Sequence, residues 1–357
     1  MILTERRLNR ALLARQLLLE RSRMPIGLAL QRVGGLQAQY APSPYIRLWS
    51  MLERFELGDL TRALEKRRAV QATLMRSTIH IVSPRDYWRF AAGIGPARQE
   101  WWLRTWGLEH HGLDLDTVAR TLRGELAGRT WQRKELDALL RDKGSTIWSG
   151  AWVELVRVPP SGTWERRRAD LFRLAHEWLK PEVVTEVEGL EHLLRRYLGA
   201  FGPARLLDAA GWMGVPRAKL LDVAERIELR TFETMDGKQL VDLPRTPLPA
   251  EDTPAPPRFL GTWDAALLVH ARQTQILPDR FRPLVFHTKN PQSVATFLVD
   301  GAVAGSWRVE RAGAKATLRL EPFEPLPRAS RGELRDEAEG LVRLVEPDAT
   351  SFAVRSS

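Results

Sequence analysis

The run from Val187 to Pro244, VEGLEHLLRRYLGAFGPARLLDAAGWMGVPRAKLLDVAERIELRTFETMDGKQLVDLP, constrains the fold more than any other part of the chain. Its punctuation divides it into elements. A first helix ends near Phe201, and Gly202-Pro203 starts a second that is expected to stop at Gly211, because proline favours the first turn of a helix and glycine its end. Val215-Pro216 starts a third. Its apolar stripe reads as Leu220, Leu221, Ala224 and Ile227, with Arg217, Lys219 and Arg226 mainly on the other side. ELRTFETM and KQLVD then flank Asp236-Gly237, the dipeptide that best supplies the positive φ values of a type I′ hairpin turn. Helix, turn, helix and wing in that order describe a winged-helix unit. The basic start of the third helix favours nucleic-acid contact over a ribbon used only for packing.

The same order is expected earlier in the chain. Thr4 to Glu20 places Leu8, Leu12, Leu13, Leu17 and Leu19 at helical spacing with Arg6, Arg7, Arg10 and Arg15 around them, an amphipathic helix with a basic face. Pro25 opens a second helix that runs to the double glycine, a third follows Pro44, and a fourth covers Asp59 to Arg67. AVQATLMRSTIHIV, Ala69 to Val82, then reads as two short strands. Leu115 to Leu126 and Trp131 to Lys143 look helical, and VRVPPSGTWERR suits a degenerate wing. These readings give three tandem units over residues 1–90, 91–184 and 185–245. A stiff proline-rich linker follows at 246–258. Residues 259–357 read as an antiparallel sheet or small barrel turning at Asp300-Gly301, with a helix from Gly332 to Leu344 and a last strand, SFAVRS. The expected class is mainly α with β wings and a barrel-like C-terminal region.

Composition narrows the chemistry. A chain of 357 residues suits several modules, and its 54 basic against 44 acidic residues leave a formal charge of +10. The favoured partner is a polyanion, nucleic acid before membrane, because the excess is mostly arginine, whose planar fork suits phosphate oxygens. No cysteine occurs, so disulfides, thiolate nucleophiles and Cys-ligated metals are excluded. No apolar run approaches a bilayer span, and charges interrupt the first residues where a signal peptide would be apolar. The expected place is the cytoplasm, on the nucleoid when DNA is bound. Thirteen tryptophans could stack on bases, although core positions account for most such residues.

Candidate chemical groups are few. His110 and His111 with Asp114 and Asp116 lack any metal-binding spacing and read as a loop capping the next helix. No Walker loop, dinucleotide fingerprint or nucleophile elbow occurs, and no cofactor or metal is expected. Asp264 lies eight residues before Arg272, near enough in sequence for a structural pair. His80 alternates with Thr78, with Arg76 on the same parity, so these polar groups are expected to share a strand face. In GGLQAQYAPSPYIRLW, Gln37 and Gln39 flank one alanine after two glycines. Taken alone, that pair suits backbone capping as well as chemistry.

GLQAQ and APSPYIRLW, together with LMRSTIHIVSPRDYW, YLGAFGPARLLDAAGWMGVPRAKL, FLGTWDAALLVHARQTQIL and VDGAVAGSWR, resemble the AlkZ-like winged-helix DNA glycosylases. Their superfamily also holds the AlkX (YcaQ) proteins. The resemblance covers nearly the whole chain in order. Gln37 and Gln39 match the Gln-x-Gln of the AlkZ branch rather than the Gln-x-Asp of the other. It implies three tandem winged-helix motifs in a C-shaped clamp with a barrel-like C-terminal region. It also implies hydrolysis of the N-glycosidic bond of N7-alkylated purines, including azinomycin-type interstrand crosslinks, with a role in self-resistance of producing actinobacteria. Gln37 and Gln39 would then be catalytic. Arg217, Lys219 and Lys238 are expected at phosphates, Arg76 and His80 near the lesion strand, and Arg272 among the DNA-binding residues. The expected partner is damaged duplex DNA bound by a monomer. A winged-helix transcriptional regulator without catalysis is the alternative, and it would need an operator and usually a dimer.

Overall fold

The computed structural model describes residues 1–106, 114–142, 151–287 and 292–357. After a two-residue strand, β1 (Ile2–Leu3), the Thr4 hydroxyl accepts from the Arg7 N–H and so caps α1 (Glu5–Arg15). The helix stops short of the expected Glu20 because the chain turns left-handed at Leu17, with φ +56°. Its expected basic face is also corrected. Arg10 and Arg15 are fully buried. Arg15 forks onto Asp242 at 2.8 and 2.9 Å and onto the Pro247 carbonyl, while Arg10 holds the Thr253 carbonyl and the Asp300 carboxylate. Carbonyls and carboxylates far along the chain return to this helix and turn its arginines inward.

Pro25 launches α2 (Ile26–Val33), which ends in the left-handed Gly34. β2 (Leu36–Gln37), α3 (Pro42–Met51) and α4 (Leu57–Glu65) follow, then the hairpin β3 (Val70–Thr73) and β4 (Ile79–Val82). α5 (Pro84–Trp106) runs across residue 90, and α6 (Leu115–Leu126) starts at an Asp114 cap. His110 and His111 lie outside the described residues. β5 (Trp131–Gln132), α7 (Arg133–Asp142), β6 (Leu155–Arg157), β7 (Leu171–Leu174) and α8 (Ala175–Trp178) complete this part. The extended segments of the first two expected units do not stay apart. They join in one six-stranded antiparallel sheet in the order β2-β4-β3-β6-β7-β5.

The segment with the clearest punctuation folds as helices and a hairpin: α9 (Glu186–Phe201), α10 (Leu206–Met213), α11 (Arg217–Glu225), β8 (Arg230–Thr234) and β9 (Gln239–Asp242). β1 adds to β8 in parallel. Three details differ from expectation. α10 ends at Gly214, with φ +78°, and passes through Gly211. Val223 rather than Leu221 joins the buried stripe of α11, and Leu221 is exposed. In Asp236-Gly237 only the glycine has positive φ, and Thr234 N–H donates to Lys238 O at 2.9 Å, so the turn is a three-residue loop with a left-handed glycine, not type I′.

The remainder comprises β10 (Arg258–Leu260), α12 (Arg282–Val285), β11 (Phe286–His287), β12 (Gln292–Ser293), β13 (Thr296–Val299), β14 (Ala302–Ala312), β15 (Lys315–Pro322), α13 (Ser330–Val345) and β16 (Ser351–Ser356). The expected barrel does not close. The sheet is open, in the order β10-β13-β14-β15-β16, because β16 pairs only with β15 and in parallel, leaving it and β10 as edges. Here the two-residue type I′ turn does occur, at Asp300-Gly301, with φ +47° and +81°. The proline-rich segment is no free linker, since α1 grips it at Pro247 and Thr253. A single core runs through Leu12, Val82, Phe90, Leu193, Trp212, Leu260 and Leu277, and so joins the N-terminal, third and C-terminal segments. Among the described residues no helix is long and apolar enough to cross a membrane.

Candidate active site

Gln37 sits in β2, the edge of the six-stranded sheet, directly opposite His80 of β4. Gly35 makes that pairing possible. Its φ is +85°, and a Cβ there would lie 2.8 Å from Val82 Cγ1. The Gln37 side chain is 8% exposed. Its Oε1 accepts from Arg76 Nη2 at 2.9 Å, and the other Arg76 nitrogen donates to the Trp212 carbonyl at the end of α10. Gln39 points elsewhere. Its Oε1 accepts the backbone N–H of Ile79 at 3.1 Å, and the rest of the side chain is exposed. The two amides share one strand end but not one contact: Gln39 caps backbone, Gln37 meets a guanidinium.

Arg76 departs from the expected strand. It lies in a short turn with φ +53°, so it reaches Gln37 from the end of the β3–β4 hairpin rather than along a polar row. Burial pushes its pKa down to about 10, and no carboxylate pairs with it among the described residues. Burial, and then the Arg76 charge, push His80 down to about 3 against a weaker hydrogen bond to the Thr78 carbonyl. His80 is therefore neutral, with Nδ1 3.1 Å from the Thr78 carbonyl and Nε2 buried without a partner. His80, expected near the lesion strand, is thus a neutral, buried imidazole behind Gln37.

A small cavity opens beside Gln37, lined also by Gln16, Ser43, Arg47, Thr262 and Asp264. The expected pairing of Asp264 with Arg272 is not formed. Asp264 Oδ2 lies 3.4 Å from Nε of the buried Arg47 in α3, and Arg272 instead faces Asp279 at 3.6 Å. Gly261 lets this segment reach the start of α3, since a Cβ there would stand 2.8 Å from Ser43 Cα. The Thr262 and Ser43 hydroxyls then meet at 3.1 Å. Trp263, next to Asp264, holds φ +59°, a strained conformation for a bulky residue and one that collects at functional sites. Sequence reasoning missed Arg47 and Asp264 in this setting. The available signal was a single carboxylate inside the apolar FLGTWDAALLV. Among the described residues no His, Asp and Glu group is arranged to hold a metal.

The expected phosphate contacts are scattered. Arg217 is exposed at the first turn of α11 and has no ion-pair partner among the described residues. Lys219 binds Glu186 at 2.7 Å and Glu100 at 3.5 Å, Lys238 binds Asp236 at 2.6 Å, and Arg272 is exposed in the 269–274 turns. None of these four touches Gln37.

An edge strand carries a guanidinium-held amide beside a polar cavity, in a chain of helices and hairpins with an excess of basic residues, an arrangement compatible with a hydrolase that acts on DNA. The chain belongs to the AlkZ-like DNA glycosylase family, which matches residues 30–344. It is a DNA glycosylase, and the non-catalytic regulator is set aside. The fold is similar to Streptomyces sahachiroi DNA glycosylase AlkZ, with a TM-score of 0.80, 20% identity and 100% of each chain covered. No curated protein matches the chain.

Proposed function

We propose that the enzyme hydrolyses the N-glycosidic bond of N7-alkylated purines in duplex DNA, including azinomycin-type interstrand crosslinks, and acts as a monomer in which three winged-helix units clamp the duplex. The observation that carries this reading is the neutrality of the site's amides. Gln37 and Gln39 cannot protonate a leaving base, which an ordinary purine needs. A purine alkylated at N7 is already cationic and departs neutral, so the remaining task is to place a water at C1′ and tolerate an oxocarbenium-like sugar. Gln37 suits that task because Arg76 fixes which end of its amide is oxygen and which is nitrogen. Gln39 supports the strand end beside it. Access without complete base flipping suits a crosslinked substrate, whose base is tethered to both strands. The favoured biological role is alkylation repair or self-resistance to a DNA-alkylating natural product.

The test uses duplexes carrying N7-methylguanine or a natural-product crosslink, with alkali-labile abasic sites as readout. Release from both is expected. No release from either removes this substrate class, and release of the monoadduct alone removes the crosslink.

A further inference from the structure

The cavity beside Gln37 measures about 10 Å³, room for roughly one water molecule. Two distant parts of the chain supply its polar lining. Gln37 commits Oε1 to Arg76 and gives its N–H groups to no acceptor among the described residues, so the donor end of the amide is available to a guest. Arg47 Nη1 is buried and has no acceptor among the described residues, in a residue only 3% exposed. A buried guanidinium nitrogen in that state can still donate to a polar occupant of the cavity. Asp264 is the only carboxylate of the lining. Its Oδ1 accepts the Ala266 N–H at 2.9 Å and its Oδ2 faces Arg47, which leaves other lone pairs of a two-oxygen acceptor unused. The strained Trp263 and the close approach at Gly261 hold it there.

We propose that Asp264 is a further catalytic residue, accepting a proton from the attacking water while a Gln37 N–H holds that water's oxygen. This deepens the glycosylase reading above and rests on it. A neutral amide orients a water but cannot take its proton, and Asp264 supplies that missing function. In the step, the water oxygen bonds to C1′ and the C1′–N9 bond breaks. Its electron pair passes into the purine and cancels the N7 charge. One water proton goes to Asp264 and then to solvent, and the other stays on the new C1′ hydroxyl. The carboxylate charge also favours the cationic sugar as it forms. The charged groups around Asp264 are Arg47 of α3 and, behind Gln37, Arg76; His270 in the following turns is held neutral by burial.

Single-turnover release of N7-methylguanine is measured for the wild type, Asp264→Asn and Asp264→Glu, with binding of an undamaged duplex as a check on folding. Asparagine keeps an oxygen for the Ala266 cap but has no basicity. Asp264→Asn should lose about 100-fold or more in rate, with duplex binding unchanged. Asp264→Glu should recover part of the rate. An Asn variant within about threefold of wild type, or a Glu variant that recovers none of the rate the Asn variant loses, overturns the assignment. Should the Asn variant fail to fold, Asp264→Ser, whose hydroxyl also caps the Ala266 N–H without supplying a base, takes its place under the same threefold criterion. A wild type that releases no N7-methylguanine removes the underlying reading and this assignment with it, a result distinct from an active wild type with an active Asn variant.

Discussion

Arg76 Nη2 donates to Gln37 Oε1 at 2.9 Å, and no carboxylate among the described residues answers the charge of that arginine. The contact joins a turn of the β3–β4 hairpin to an edge strand thirty-nine residues earlier in the chain. It sets an amide at the cost of an unpaired, largely desolvated cation beside the proposed site of glycosidic cleavage.

Arg76→Met should therefore separate stability from activity. Removing an uncompensated buried charge is neutral to stabilising, so the melting temperature should hold or rise. The glycosidic cleavage rate should fall about tenfold or more, because the Gln37 amide is then free to turn. Thermal melting and single-turnover kinetics on the same preparation check both halves.

Gln37→Ala and Gln39→Ala should differ. The first removes the group that faces the cavity, and a loss of about 100-fold in rate is expected with duplex binding intact. The second leaves the Ile79 N–H without its acceptor at an exposed position, a loss of about 1 kcal/mol of stability with a smaller effect on rate. Urea unfolding alongside kinetics distinguishes them, and equal rate losses would show that both amides act on the water.

Arg217 and Lys219 separate in salt titrations. Arg217→Ala should weaken binding and lower the salt slope by about one unit, as expected for one lost phosphate contact. Lys219 is already engaged by Glu186 and Glu100, so Lys219→Ala should change the slope less.

Asp242 holds two arginines. It is fully buried and accepts from Arg15 at 2.8 Å and from Arg230 at 2.7 Å. Asp242→Ala leaves Arg15 buried and unpaired, and should destabilise the fold by about 3–5 kcal/mol in urea unfolding.

His80 gives a signed pH dependence. Its pKa is about 3 in the fold, against 6.5 for the free side chain. Below about pH 6.5 the unfolded chain takes up a proton that the folded chain excludes, so stability from this group is present above that pH and declines on acidification toward 3. His80→Gln should flatten the melting temperature between about pH 6.5 and pH 5 relative to wild type, and the imidazole NMR signal of the wild type should not shift over that range.

Much of the architecture was legible. Pro25, Pro216 and Gly34 mark real helix ends, and AVQATLMRSTIHIV does hold two strands, because these signals act over a few residues. What escaped depends on partners far away in sequence. Arg10 and Arg15 look like a solvent face until Asp300 and Asp242 are brought to them. Asp236-Gly237 and Asp300-Gly301 are the same dipeptide, yet only the second forms the type I′ turn, because the loop lengths between paired strands differ. Gln37 was visible as a candidate; Arg47 and Asp264 were not visible beside it, since their meeting needs α3 and the segment after β10 to close on β2.

The grip of α1 on the segment around Pro247 and Thr253 makes the cavity beside Gln37 a seam within one polypeptide. Residues 37 and 264 line the cavity from either side of that segment in the chain, and the buried guanidinium of Arg10 acts as a rivet across it, holding Thr253 and Asp300. A chain cut between Pro247 and Thr253 should still assemble from its two fragments, because the Arg10 rivet and the shared core need no peptide bond there. Neither fragment alone should hold a cleft, so activity should return only when both are present.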